Sequence, residues 1–215
     1  MNTYFFYLAL LFIMFLFIYY GVSCSVRFAP LKIRIISLAA LVALSARYIA
    51  LLIFLVTGNI KNLYLLKPLM FLNLLCLPVL AIISIYIYAR NDKIKFNYCI
   101  ISASLLLVIY IAAIIKLPVS IEIYGNLGYI MRFYNELLVY GIYLIFNTIF
   151  FFKAVVFLGN KTSNKLGMWL ILASSLIVII EVIVKTSGVS ILPSILFGDV
   201  IWIATADYAL HKLKK

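Results

Sequence analysis

Seven apolar runs, separated by polar or basic connections, make up most of the chain: residues 4–22, 35–56, 63–88, 98–115, 137–158, 166–184 and 191–210. A bilayer crossing takes about 20 apolar residues, and each run is near or beyond that length. Backbone groups in hydrocarbon must be satisfied within the segment, so each run is expected to be a helix. None shows the apolar/polar alternation of a membrane-barrel strand. The pattern therefore predicts an all-α fold, a polytopic membrane helix bundle of seven transmembrane helices. With no linker or low-complexity tract, residues 1–215 form a single domain. A six-span reading would require one run to be re-entrant.

Composition agrees. The chain is 67% hydrophobic and 11% charged, against roughly half and about a quarter for a soluble domain. Low hydrophobicity, the mark of disorder, is absent. The formal charge of +12 comes from 18 basic and 6 acidic residues. In a membrane protein such an excess is a topology signal and does not imply nucleic-acid binding. Arg27, Lys32, Arg34, Arg90, Lys93, Lys95, Lys153, Lys161, Lys165, Lys212, Lys214 and Lys215 fall on one side. Lys61, Lys67, Lys116, Arg132 and Lys185 fall on the other, and Arg47 lies within a span. This bias predicts a multi-pass protein of the cell membrane with its N-terminus outside and its C-terminus cytoplasmic. Tyr19, Tyr20, Tyr86, Tyr88, Tyr98 and Tyr208 fall at the same inner ends, as an interfacial aromatic belt would. The first run has no charged n-region, and a basic cluster follows it, so a retained anchor is expected over a signal peptide.

Little here can do covalent chemistry. The only histidine, His211, is expected in a solvated tail, and Cys24, Cys76 and Cys99 lack paired spacing and read as packing residues. Metal binding by His/Cys clusters is excluded by count, and no glycine loop for phosphate is present. Phe197-Gly198-Asp199 resembles the Gly-Asp of intramembrane aspartyl proteases, but Leu196 stands where the first Gly of Gly-x-Gly-Asp belongs. Asp207 is about 12 Å further along the same run, too far for a shared-proton dyad. Neither catalysis nor a cofactor is expected. Asp207 itself, beside Tyr208 and the tail lysines, is expected at the interface, paired with a lysine.

The informative residues are the polar ones inside spans, where a charge costs about 2.5–3.5 kcal/mol. Arg132, Glu136, Tyr140, Tyr143 and Asn147 are spaced as one helical stripe of the fifth run. The stripe either lines a cavity open to the outside or forms a seam in which Arg132 and Glu136 pair at i,i+4. Arg47, Glu181 and Asp199 fall at similar depths, and Arg47 has no acid on its own run. It is expected to pair with Asp199 or Glu181. These eight residues are the candidate ligand-binding set. Ala39, Ala43, Ala46 and Ala50 form a small-residue stripe that allows close helix approach, though alanine is also simply a good helix former. Pro78 can kink the third run. Pro68 before Asn73 and Pro193 before Asp199 give a faint internal echo of the kind seen in repeat-built transporters. The long connection 116–134, with Glu122, Gly125, Asn126 and Gly128, is either a lid over the polar centre or an interfacial turn.

The layout resembles the seven-helix input region found ahead of some bacterial histidine kinases. The shared features are a proline-bearing third run, a long outer connection before the fifth and a proline entering the seventh. No residue motif accompanies them. The implied function is a non-enzymatic, receptor-like sensor with an outward polar pocket. Because the sequence stops about five residues past the last run, the signal would pass to a membrane or cytoplasmic partner protein. A small-solute transporter is the alternative, weakened by nine glycines and few polar residues in the inner half. A structural or accessory subunit of a membrane complex is a second alternative. Microbial rhodopsins are excluded for want of a mid-span lysine in the seventh run.

Overall fold

The computed structural model describes residues 2–57, 60–90, 95–188 and 194–214. Lys93, Pro193 and Lys215, used above for orientation and for the internal echo, lie outside them. The long helices are α1 (Asn2–Phe28) and α2 (Leu31–Val56), α5 (Asn73–Ala89) and α6 (Asn97–Lys116), and α7 (Glu136–Leu158) and α8 (Lys165–Thr186). The third run is built in pieces. A single turn, α3 (Ile60–Leu63), and a 3-10 turn (Tyr64–Leu66) lead into α4 (Lys67–Met70), and a two-residue turn joins α4 to α5. The interruption therefore falls at Phe71-Leu72, ahead of Pro78, which α5 accommodates within its length. The last helix, α9 (Phe197–His211), has 15 residues.

Among the described residues, six helical segments are long and apolar enough to cross a membrane. At about 1.5 Å per residue α9 spans some 22 Å, less than a hydrocarbon core of about 30 Å. It begins at Phe197, where the first N–H groups are held by a side chain of α8, described below; residues 191–193 of the run that predicted it lie outside the described residues.

α5 is the central helix, packing on α2, α6, α7, α8 and α9. Cys76 to Ala81 are buried without a break, as expected of a helix apolar on every side. α1 packs on α2 and α9, and α7 on α8. Without water to drive apolar faces together in lipid, such contacts rest on close van der Waals fit. The alanine stripe does not supply it. Ala39 is exposed, Ala43 and Ala46 are half-buried, and only Ala50 is buried. The inward face of α2 instead carries Ile33, Ser37, Leu41, Leu44, Arg47, Tyr48, Leu51 and Phe54.

Glycines make the close approaches. A Cβ at Gly167 would strike the Tyr88 ring, whose hydroxyl donates to the Thr205 carbonyl at 2.7 Å. Gly167→Val is therefore expected to cost about 1–3 kcal/mol by overpacking. Unfolding in mixed micelles measures this, and an unchanged midpoint would show that Tyr88 simply moves aside.

The connection before α7 is not an irregular loop. Val119–Ile123 (β1) and Tyr129–Phe133 (β2) form an antiparallel hairpin, with Val119 opposite Phe133 and Ser120 opposite Arg132. Gly125 and Gly128 adopt positive φ in its turn, which only glycine tolerates cheaply. The described chain is thus helical apart from this hairpin. Arg132 consequently sits on β2 and not on the helical stripe, because α7 begins only at Glu136.

Two other expectations change at the opposite end of the bundle. Asp207 is 3% exposed, and neither carboxylate oxygen has a hydrogen-bond partner among the described residues. It lies against Gly21 of α1, where a Cβ would strike it. The tail lysines use aromatic faces instead: Lys212 lies 5.2 Å from the Tyr208 ring centre and Lys214 5.9 Å from that of Phe28. His211 is half-buried between Tyr20, at 6.5 Å and near-parallel, and Phe28, at 6.1 Å and edge-on. Cys24, Cys76 and Cys99 are free and buried, as packing residues should be.

Candidate functional site

The polar centre forms where α2 and α9 meet beneath the α4–α5 break. Arg47 is 2% exposed and Asp199 is fully buried. The Arg47 guanidinium pairs with Asp199 through Nη1 and Oδ2, and its Nε donates to the Met70 carbonyl at 3.2 Å. Met70 ends α4, so the broken third run supplies an acceptor that a continuous helix would use internally. Tyr48 completes the group: its hydroxyl lies 3.4 Å from Asp199 Oδ2, and its ring centre lies 5.2 Å from the Arg47 guanidinium carbon. Asp199 also sits in the first turn of α9, where the helix dipole favours an anion. Its Oδ1 and the Tyr143 hydroxyl have no hydrogen-bond partner among the described residues.

Glu181 is placed differently. Its carboxylate reaches from α8 to the start of α9. Oε1 accepts from the backbone N–H of Leu196 at 3.0 Å and of Phe197 at 3.2 Å, and Oε2 accepts from Gly198 at 2.7 Å. These are donors that the first turn of a helix cannot satisfy for itself. Glu181 is thus a cap supplied by a neighbouring helix. Gly198 is required beside it, since a Cβ there would collide with Val178 and sit 3.2 Å from Oε2.

The stripe on α7 divides with depth. Asn147 is spent in packing, donating to the Tyr143 carbonyl at 2.9 Å and accepting from Trp202 Nε1 at 3.1 Å. Tyr143 is buried above it. Tyr140 and Glu136 instead line a cavity of about 40 Å³ with Arg47, Asn73, Lys185 and Ser194. The Lys185 ammonium lies 5.0 Å from the Tyr140 ring centre. Ile130, Met131 and Phe133 of the hairpin close the cavity from above, and Phe133 stacks on Phe71 at 3.9 Å. A space of this size holds a few waters, since one needs about 10–15 Å³ on this measure. Arg132 stands outside on the hairpin, 3.8 Å from Glu122 and 3.7 Å from Glu136. These three line an open surface groove.

Of the eight candidate residues, four thus border or support the cavity (Arg47, Glu136, Tyr140, Asp199), and Tyr143 lies just beneath. Arg132 is at the outer rim, while Asn147 and Glu181 serve helix packing and capping. Tyr48 was missed, although an aromatic beside a membrane arginine is a usable signal. No sequence pattern could have named the Met70 carbonyl, because it becomes available only through the helix break. Among the described residues no cluster of His, Cys, Asp and Glu could hold a metal ion.

Fold and site together define a helical multi-pass membrane protein with a buried ion pair below a hairpin-covered cavity. No protein-family model matches the chain, and a search of the curated proteins returns no match.

Proposed function

We propose that the chain is a seven-span protein of the cell membrane, N-terminus outside and C-terminus cytoplasmic, that works as a non-enzymatic, receptor-like sensor. A small polar ligand would enter beneath the hairpin and be read by the Arg47–Asp199 pair, and the signal would pass to a partner protein. The burial of α9 among α1, α5 and α8 supports counting it as the seventh span. The observation that carries the sensor reading is the one-sided placement of the polar cavity. The cavity lies under the hairpin, whereas the other half is closed by side-chain locks. There Tyr88 holds Thr205, Ser174 and Thr205 hydroxyls meet at 2.8 Å, and those of Ser25 and Ser37 at 2.7 Å.

A transporter is the second reading, and one observation favours it. The α4–α5 interruption leaves a backbone carbonyl facing a functional side chain, as in the broken helices of many transporters. Accessibility separates the two. Tyr140→Cys, in a background with Cys24, Cys76 and Cys99 replaced, is exposed to a membrane-impermeant thiol reagent from each side of sealed vesicles. A sensor predicts labelling from the hairpin side alone. Labelling from both sides would establish alternating access, and labelling from neither would discard the cavity as a binding site.

A further inference from the structure

Away from the polar centre, α6 and α7 both lean on α5 but diverge from each other. The cleft between them has a volume of about 420 Å³, within the range of about 300–1,000 Å³ typical of small-molecule sites. Its polarity is graded along all three helices in the same sense. Near the C-terminal ends of α5 and α7 and the N-terminal end of α6 it carries Tyr86, Lys153 and Tyr98. Deeper, it is walled by Leu105, Ile109 and Phe146. Tyr86 meets Phe96 edge-on at 5.3 Å at the polar mouth. Arg90, which ends α5, and Lys95, just before α6, lie at that same end.

We propose that this cleft is a binding site for an anionic phospholipid of the surrounding leaflet, one acyl chain between α6 and α7 and the phosphate at Lys153. The charge gradient matches an amphiphile with a negative head and an apolar tail. Basic pockets between helices on the cytoplasmic side are recognised sites for such headgroups, and, resting on the orientation proposed above, the basic residues at this end meet that description. A transmembrane helix fits the walls poorly. Close helix approach in lipid favours Gly, Ala and Ser faces, whereas bulky Leu, Ile and Phe dominate the deep part of this cleft.

The test uses the full chain in detergent, titrated with phosphatidylglycerol or phosphatidylcholine of identical acyl chains. Retained lipid is counted by native mass spectrometry and the thermal midpoint is followed in parallel. The expected result is about one phosphatidylglycerol per chain, a raised midpoint and weaker retention of phosphatidylcholine. Lys153→Gln should lower phosphatidylglycerol retention about fivefold, and Lys153→Glu, where the charge reversal folds, by more than tenfold. Leu105→Trp, at a position 60% exposed, fills the cleft and should abolish retention of both lipids. Equal retention of the two lipids, or phosphatidylglycerol retained by Leu105→Trp, overturns the proposal. So does a dimer that Leu105→Trp dissociates, since a second copy would then be the occupant.

Discussion

Arg47→Met is expected to lower the unfolding free energy by about 3–5 kcal/mol, the usual consequence of stranding one partner of a buried ion pair. The substitution keeps much of the side-chain volume, so the loss reports charge more than packing. It leaves Asp199 fully buried with Tyr48 as its one remaining hydrogen-bond partner among the described residues and the Met70 carbonyl without its donor. The double variant Arg47→Met/Asp199→Leu should recover most of the loss, because a buried pair replaced by apolar residues is often neutral or better. A double-mutant cycle in mixed micelles measures the coupling. A single-variant loss below about 1 kcal/mol, the range of solvated pairs, would mean that water reaches Arg47 and that the centre is not sealed. The same variants bear on function. A sensor that reads ligand through this pair should lose its response in Arg47→Met even under conditions where the protein stays folded.

The second large effect is expected at Glu181. Glu181→Ala removes one acceptor from three backbone donors, and the predicted loss is about 2–4 kcal/mol, above the roughly 1 kcal/mol of an ordinary cap. Glu181→Gln keeps an acceptor oxygen and should lose clearly less. The effect should be local as well as global. Hydrogen exchange ought to rise at Leu196, Phe197 and Gly198 before it rises elsewhere in α9. Uniform exchange along the helix would show that the cap is dispensable and that packing on α1 and α8 alone fixes where α9 begins.

Much of the architecture was legible because apolar length is an unambiguous signal in this solvent. The runs 35–56, 98–115 and 137–158 each match one helix to within a few residues. The Arg47–Asp199 pair was also within reach, since a membrane arginine with so few acids available has few possible partners. Spacing failed where two templates overlapped. Arg132 and Glu136 are four apart, which satisfies a helical stripe, yet Val119-Ser120-Ile121-Glu122-Ile123 alternates strictly and marks a strand. The capping role of Glu181 was out of reach for a different reason. A cap from another helix depends on where α9 starts, and that start is itself set by the cap. Asp207 illustrates the limit of neighbour arguments: adjacency to Tyr208 and the tail said interface, but the side chain turns toward Gly21, where a missing Cβ leaves room.

The hairpin tip is wedged against α2. A Cβ at Gly128 would lie 2.6 Å from the Phe54 carbonyl oxygen and 3.0 Å from Leu55 Cα. Seven residues separate Arg47 from Phe54, about 10 Å along a stiff helix. The hairpin that covers the cavity therefore also rests on the helix that carries the arginine, so the roof of the cavity and one side of the ion pair share a single support.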